Sequence, residues 1–288
     1  MVDLQIALIS STGQRINLGT THQTDFMLGT DVSGFGLPQV SVDIAEGAGD
    51  GGTWQRTRRL PRVVDLPILV FGTSRADLQT KLRLLGQVVS DREGPVVLQA
   101  DYGDGTSVYL KGHLIDGGQT EYGKNANLDF CRWVLSLKCP DPYWTQTEPL
   151  SFTIKQNLDT DGLLPYLAEL RLTDSQGFGD VMVNNPGEVE AWPIWVITGP
   201  CDGFTIENDQ NIGFSYDATI TSGNQVKIDT KAGTVESASG TNLYSNLSTA
   251  PKLFAFPTGT SSVSVVINNA ANDTLVQCYF NPRHEVIY

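Results

Sequence analysis

Apolar and polar residues alternate with a two-residue period through most of this chain, and one stretch departs from it. Leu4, Ile6 and Leu8 share a face of a strand predicted over residues 4–10. A Ser11-Thr12-Gly13 turn then leads back through Ile16 and Leu18, which makes a hairpin. Phe26 and Leu28 bound a short apolar run, Ser33-Gly34-Phe35-Gly36-Leu37-Pro38 interrupts the chain, and a new strand is predicted over 40–44. Further strands are expected over 63–71, 96–100, 108–114 and 128–139. In the last of these Cys131, Trp133, Leu135, Leu137 and Cys139 face one way, and Arg132, Ser136 and Lys138 the other. The exception to this period is helical. Ser74 caps a stretch in which Asp77 stands three residues on and Leu78, Leu82, Leu85 and Val89 recur at helical spacing, before Gly94-Pro95 ends it. Such an apolar stripe belongs against a sheet.

Beyond residue 149 the period stays at two. Short strands are expected over 167–172, 181–183, 194–197, 204–207, 214–216, 226–229, 253–256, 263–267 and 275–280, separated by Gly, Pro and Asn at the intervals of an antiparallel sandwich. Between the two halves stands Asp141-Pro142-Tyr143-Trp144. With Pro140, these prolines remove backbone donors and end the preceding strand, while the two rings offer apolar surface to pin a junction. The chain of 288 residues suits two domains. They are placed at 1–140 and 149–288, with a hinge over 141–148 carried by Pro140, Asp141, Pro142, Tyr143 and Trp144. The expected class is mainly β with one helix.

Charge narrows the function classes. A formal net charge of −13 argues against ordinary nucleic-acid binding, which needs Lys and Arg to displace phosphate counterions. No apolar run is long enough to cross a bilayer as a helix, and the first residues lack a secretory pattern, so folding in a cytoplasm is expected. Cys131, Cys139, Cys201 and Cys278 have no metal-ligand spacing. Cys131 and Cys139 lie about 26 Å apart along one extended strand and cannot pair there, so buried reduced thiols are expected. Asn157-Leu158-Asp159-Thr160-Asp161-Gly162 opens like a calcium loop, but Ala168 stands where the closing Glu belongs and Pro165 blocks the helix that should follow. No nucleophile elbow, phosphate loop or His/Cys ligand pair occurs, so neither enzyme activity, metal nor cofactor is expected.

Two clusters remain as candidates for binding. After the glycine-rich run over 46–52, expected to be a mobile loop, Trp54, Arg56, Arg58, Arg59 and Arg62 hold the densest positive charge of an acidic chain. The pattern fits an interface anchor that clamps an acidic neighbour, and it equally fits a solvated charge run at a strand end. Contact with a neighbouring chain is assigned to Trp54, Arg56, Arg58, Arg59, Gly49 and Gly51. In the second half Trp192, Trp195, Tyr216 and Tyr244 would stack on sugars if they shared a sandwich face; Trp192 and Tyr216 are retained as carbohydrate candidates. Trp192 and Trp195, three residues apart, would face opposite sides of a strand.

Taken in order, these pieces resemble the distal tail proteins of long non-contractile-tailed bacteriophages. The resemblance runs through Gly36-Leu37-Pro38, the glycine-rich loop before an Arg-containing strand, the single helix, and Asp141-Pro142-Tyr143-Trp144. It continues through Asn185-Pro186-Gly187 ahead of Pro193-Ile194-Trp195-Val196-Ile197-Thr198-Gly199, then Ile206-Glu207-Asn208, Ile228-Asp229-Thr230, Gly240-Thr241-Asn242-Leu243-Tyr244 and Pro257-Thr258-Gly259. It implies a split β-barrel belt domain with one helix, similar to a tail-tube module, and then a galectin-like sandwich. It further implies a homo-hexameric ring in the virion tail tip, assembled in the bacterial host cytoplasm. The implied partners are the tail tube protein, the tail-associated hub protein and the C-terminus of the tape-measure protein. DNA would pass through the ring without specific binding, which an acidic lumen favours. The alternative is a carbohydrate-binding module of an adhesion device.

Overall fold

The computed structural model describes residues 4–20, 24–90, 92–118, 129–155 and 178–287. The calcium-like stretch from Asn157, the strand expected over 167–172 and His22 lie outside the described residues. Contacts divide the chain into two compact units, the first of Met1–Glu148 with His284–Tyr288 and the second of Pro149–Arg283. Two details differ from the sequence expectation. The residues assigned to a hinge are part of the first unit, because Trp144 is wholly buried in its core; the last residues are too, because Ile287 is buried there as well.

The first unit contains β1 (Gln5–Ile9), β2 (Arg15–Leu18), β3 (Phe26–Leu28), β4 (Val40–Glu46), β5 (Gly52–Arg59) and β6 (Arg62–Phe71), then helix α1 (Arg75–Val88), β7 (Val96–Asp101), β8 (Ser107–Gly117), β9 (Phe130–Cys139) and β10 (Trp144–Gln146). The main sheet runs β2-β1-β7-β8-β9-β6-β3, with its strand pairs antiparallel and β10 added alongside β8. Gly19, just past β2, bridges Met27 of β3, so the two ends of the order meet and the sheet is nearly closed into a barrel. The alternation fills the interior: Ile6 and Leu8, Val64, Leu66, Ile68 and Val70, Leu98 and Ala100, and Leu135 and Leu137 all send their side chains inward.

Helix α1 begins as its cap chemistry predicts. Ser74 accepts from the Asp77 amide, and Asp77 in return accepts from the Thr73 amide. Leu78, Leu85 and Val88 are buried with the barrel's apolar residues, and Lys81 bridges Asp77 and Asp25 on the outer side.

Arg62 occupies an inward position of β6, in the row continued by Val64, Leu66, Ile68 and Val70. Among the described residues its guanidinium forms no ion pair within hydrogen-bond reach. Nε donates to the Pro142 carbonyl, one terminal nitrogen to the Gly34 and Gly36 carbonyls, and the other to the Glu285 carbonyl, at 2.5–2.6 Å. Burial lowers its pKa, yet an arginine stays charged, so the four carbonyl dipoles must solvate it. Gly34 has φ +88°, and a Cβ there would sit 2.3 Å from the Val63 carbonyl oxygen; only glycine fits. Phe35 packs edge-to-face on Trp144 at 5.5 Å, and its carbonyl accepts from the Ile287 amide.

The second unit is an antiparallel sandwich of β11 (Leu150–Lys155), β12 (Phe178–Asn185), β13 (Ile194–Thr198), β14 (Phe204–Asn208), β15 (Gly213–Tyr216), β16 (Gln225–Asp229), β17 (Thr234–Ser237), β18 (Gly259–Ile267) and β19 (Leu275–Phe280). After it, β20 (Arg283–His284) marks the return to the first unit. One sheet runs β11-β19-β13-β16-β17 and the other β12-β18-β14-β15. Trp195, Phe204, Phe256, Val265 and Cys278 are among the buried residues of its core. The strand expected over 253–256 does not form: Pro251 and Pro257 remove donors on either side, and only Phe256 pairs, with Ala191. Buried polar side chains lock the turns. Asn185 donates to the Val189 and Phe256 carbonyls, and the Thr230 hydroxyl donates to the Pro193 carbonyl.

All four cysteines are buried and none forms a disulfide. Burial pushes the Cys139 thiol up to about 11 and raises those of Cys201 and Cys278. Ellman's reagent at pH 8 is therefore expected to titrate almost none of them in the folded chain and all of them in guanidinium chloride. A raised thiol pKa contributes stability that is complete below the unfolded value and is lost as pH rises toward the folded one. The unfolding temperature should accordingly fall between pH 8 and pH 11. Arg62→Met should destabilise the first unit by at least about 2–3 kcal/mol, because buried carbonyls lose their donor. Calorimetry checks the loss, and an unchanged unfolding temperature would refute the role assigned to Arg62.

Candidate assembly interface

Strands β4 and β5 pair only with each other, and the two-stranded sheet they form is separate from the barrel sheet. Register runs from Val40 opposite Arg59 to Glu46 opposite Gly52, with a bulge next to Asp43. The glycine-rich stretch is thus a tip of residues 47–51, whose Gly49 and Gly51 have open space where a Cβ would stand. Gly51 takes φ +86° where the chain turns into β5.

Opposed residues share a face, so the register sorts the hairpin's side chains. One face carries Val40, Val42, Ile44 and Trp54, with Thr57 and Arg59. The other carries Ser41, Asp43, Arg56 and Arg58. The apolar face is uncovered: Ile44 is 58% exposed and Trp54 63%, and every residue of β5 is exposed. Leu37, just before β4, is 71% exposed and extends the apolar character toward the hairpin's foot. Large apolar side chains gathered on one projecting face are the kind of exposure that marks a docking surface. Trp54 is held by a hydrogen bond from Nε1 to the Thr57 hydroxyl.

The arginines do not act as one patch. Arg56 pairs with Asp43 across the hairpin, Arg59 grips Glu285 through Nε and a terminal nitrogen at 2.9 and 2.8 Å, and Arg62 is buried. Glu285 is also the main reason the Arg59 pKa is raised. Only Arg58 remains on the exposed polar face without an ion-pair partner among the described residues. The signal for the two roles was already in the pattern, since Arg62 opens the inward row of β6 while Arg56 and Arg58 share the outer face of β5.

The aromatic residues considered for sugar stacking are not brought together as a platform. Trp195 is in the sandwich core between Phe152 and Phe256, and Tyr216 is buried with its ring stacked on Phe204 at 5.2 Å. Trp192 is half-buried and Tyr244 is 44% exposed. Among the described residues no group of three His, Cys, Asp or Glu side chains could hold a metal ion, and no helix is long and apolar enough to cross a membrane.

Residues 186–284 match the family described as siphovirus-type tail component, C-terminal domain. The fold of the whole chain is similar to the SPP1 Dit (gp 19.1) protein, described as a paradigm of the hub adsorption apparatus in phages infecting Gram-positive hosts. That likeness has a TM-score of 0.68 at 12% identity and covers 96% of this chain and 98% of the other. A chain of the phage P2 baseplate in its activated conformation with Ca is similar at a TM-score of 0.60 and 10% identity, covering 99% and 100%; the same baseplate with Sr gives the same values. No curated protein matches the sequence. The resemblance to siphophage distal tail proteins therefore extends to the fold of both units.

Because Ile44 and Trp54 are largely exposed, Trp54→Ala combined with Ile44→Ser should change the stability of the isolated chain by no more than about 0.5 kcal/mol. Thermal unfolding checks this, and a large loss would make the hairpin part of the core.

Proposed function

We propose that this chain, which carries a siphovirus-type tail component domain and the fold of a distal tail protein, is a structural ring component of a siphophage tail tip. Six copies close head to tail, join the tail tube to the hub at the baseplate, and surround the channel through which DNA leaves. The observation that carries this reading is the β4–β5 hairpin, whose apolar face is exposed on a single copy and would be covered by the next copy in a heterologous closed ring. Arg58, beside the Arg56–Asp43 pair on the opposite face, suits an acidic neighbour, such as another copy of a chain with a net charge of −13. The same negative charge would keep DNA from adhering to the lumen.

Mass photometry and negative-stain images of the purified chain, or of tails that contain it, should show a six-fold ring. Trp54→Ala with Ile44→Ser, and separately Arg56→Glu with Arg58→Glu, should weaken assembly at least about tenfold, equivalent to about 1.4 kcal/mol. A chain that stays monomeric with the tail tube and hub present, or rings indifferent to both variants, would overturn the proposal.

A further inference from the structure

The second unit contains a pocket of about 410 Å³ that no part of the ring reading uses. We propose that it binds an uncharged sugar ring or a similar neutral polyol. Its volume falls in the range of small-molecule sites, about 300–1,000 Å³. Tyr216, Ile220 and Val226 are its buried wall, and Leu243, Ala218 and Ala238 add apolar surface of the kind a sugar's C–H face requires. The polar lining consists of Thr219, Thr221, Asn224, Gln225, Asn246 and two serines. Although the chain has 32 acidic and 19 basic residues, none lines the pocket. A charged ligand would be desolvated there without a counter-charge, whereas a hydroxylated neutral one would not.

The hydrogen bonds inside the lining set up its complementarity. Asn246 Nδ2 donates to the Tyr216 hydroxyl at 3.0 Å, which leaves the phenolic proton to donate and Asn246 Oδ1 to accept. Asn224 Nδ2 donates to Thr221 Oγ1 at 2.6 Å, which leaves the Thr221 proton and Asn224 Oδ1 in the same pairing. Each pair therefore presents one donor beside one acceptor, matching a sugar hydroxyl that both accepts and donates. Tyr216 serves through its hydroxyl, because its ring is stacked on Phe204.

Saturation-transfer NMR on the full chain with the methyl glycosides of glucose, galactose and N-acetylglucosamine tests this, with glycerol 3-phosphate as a charged polyol. At least one neutral glycoside should show transfer and the phosphate none. Tyr216→Phe should reduce the apparent affinity at least about tenfold, and so should Ala238→Trp, which fills the pocket from an exposed position. If Tyr216→Phe lowers the unfolding temperature, Ala238→Trp alone decides. The proposal is overturned if no glycoside shows transfer, if transfer survives Ala238→Trp undiminished, or if the phosphate binds equally well. None of these outcomes bears on ring formation.

Discussion

The Arg62 guanidinium is a full charge held inside the first unit by four backbone carbonyls from three distant stretches of chain: Gly34 and Gly36, Pro142, and Glu285. A buried charge tolerates no missing partner, so each stretch must be in place for the others to be stable. A planar fork of donors also fixes direction, which a lysine at this position would not. Around this point Phe35 packs on Trp144 and the Ile287 amide reaches the Phe35 carbonyl. The hairpin also starts here. Gly36 lies just before β4 and Arg62 just after β5, and the Leu60 amide closes the foot on the Gln39 carbonyl. The apolar arm therefore rises from a foot tied by the Arg62 hydrogen bonds.

That placement changes how the local charge is understood. A run of arginines beside a tryptophan reads, in one dimension, as a basic patch. In the fold, Arg56 is neutralised by Asp43, Arg59 by Glu285, and Arg62 is withdrawn from solvent. What is left in water is an amphipathic ribbon with apolar side chains on one side and one open cation on the other. Exposed ion pairs such as Arg56 with Asp43 contribute little stability, and here the pair orients two side chains across the hairpin.

Alternation made most of this architecture legible. The first hairpin, the inward rows of β6 and β9, the capped helix and the run of sandwich strands follow from periods of two and of 3.6, which local residues set by themselves. Long-range pairing was not legible. Nothing local shows that Trp144 completes the first core rather than pinning a junction, since its contact with Phe35 spans more than a hundred positions. The apolar run at 253–256 alternates as a strand should, but flanking prolines leave it one bridge. Tyr216 looks like a stacking platform until Phe204, in the neighbouring strand, takes the ring face. The pocket beside it could not be read at all, because its polar lining comes from turns and strand ends that lie apart in the chain.

The C-terminal return of the chain sets an order of events. Arg62 lies early in the sequence and waits for the Glu285 carbonyl, which emerges only after the entire sandwich has been synthesised. Domains generally fold as they leave the ribosome, and contacts across long separations close late. The first unit thus spends most of its translation with a charged side chain short of one ligand and a core short of Ile287. A chain cut short of Glu285 would leave Arg62 with an unfilled donor beneath the apolar ribbon, so the footing of the hairpin depends on residues more than two hundred positions further along.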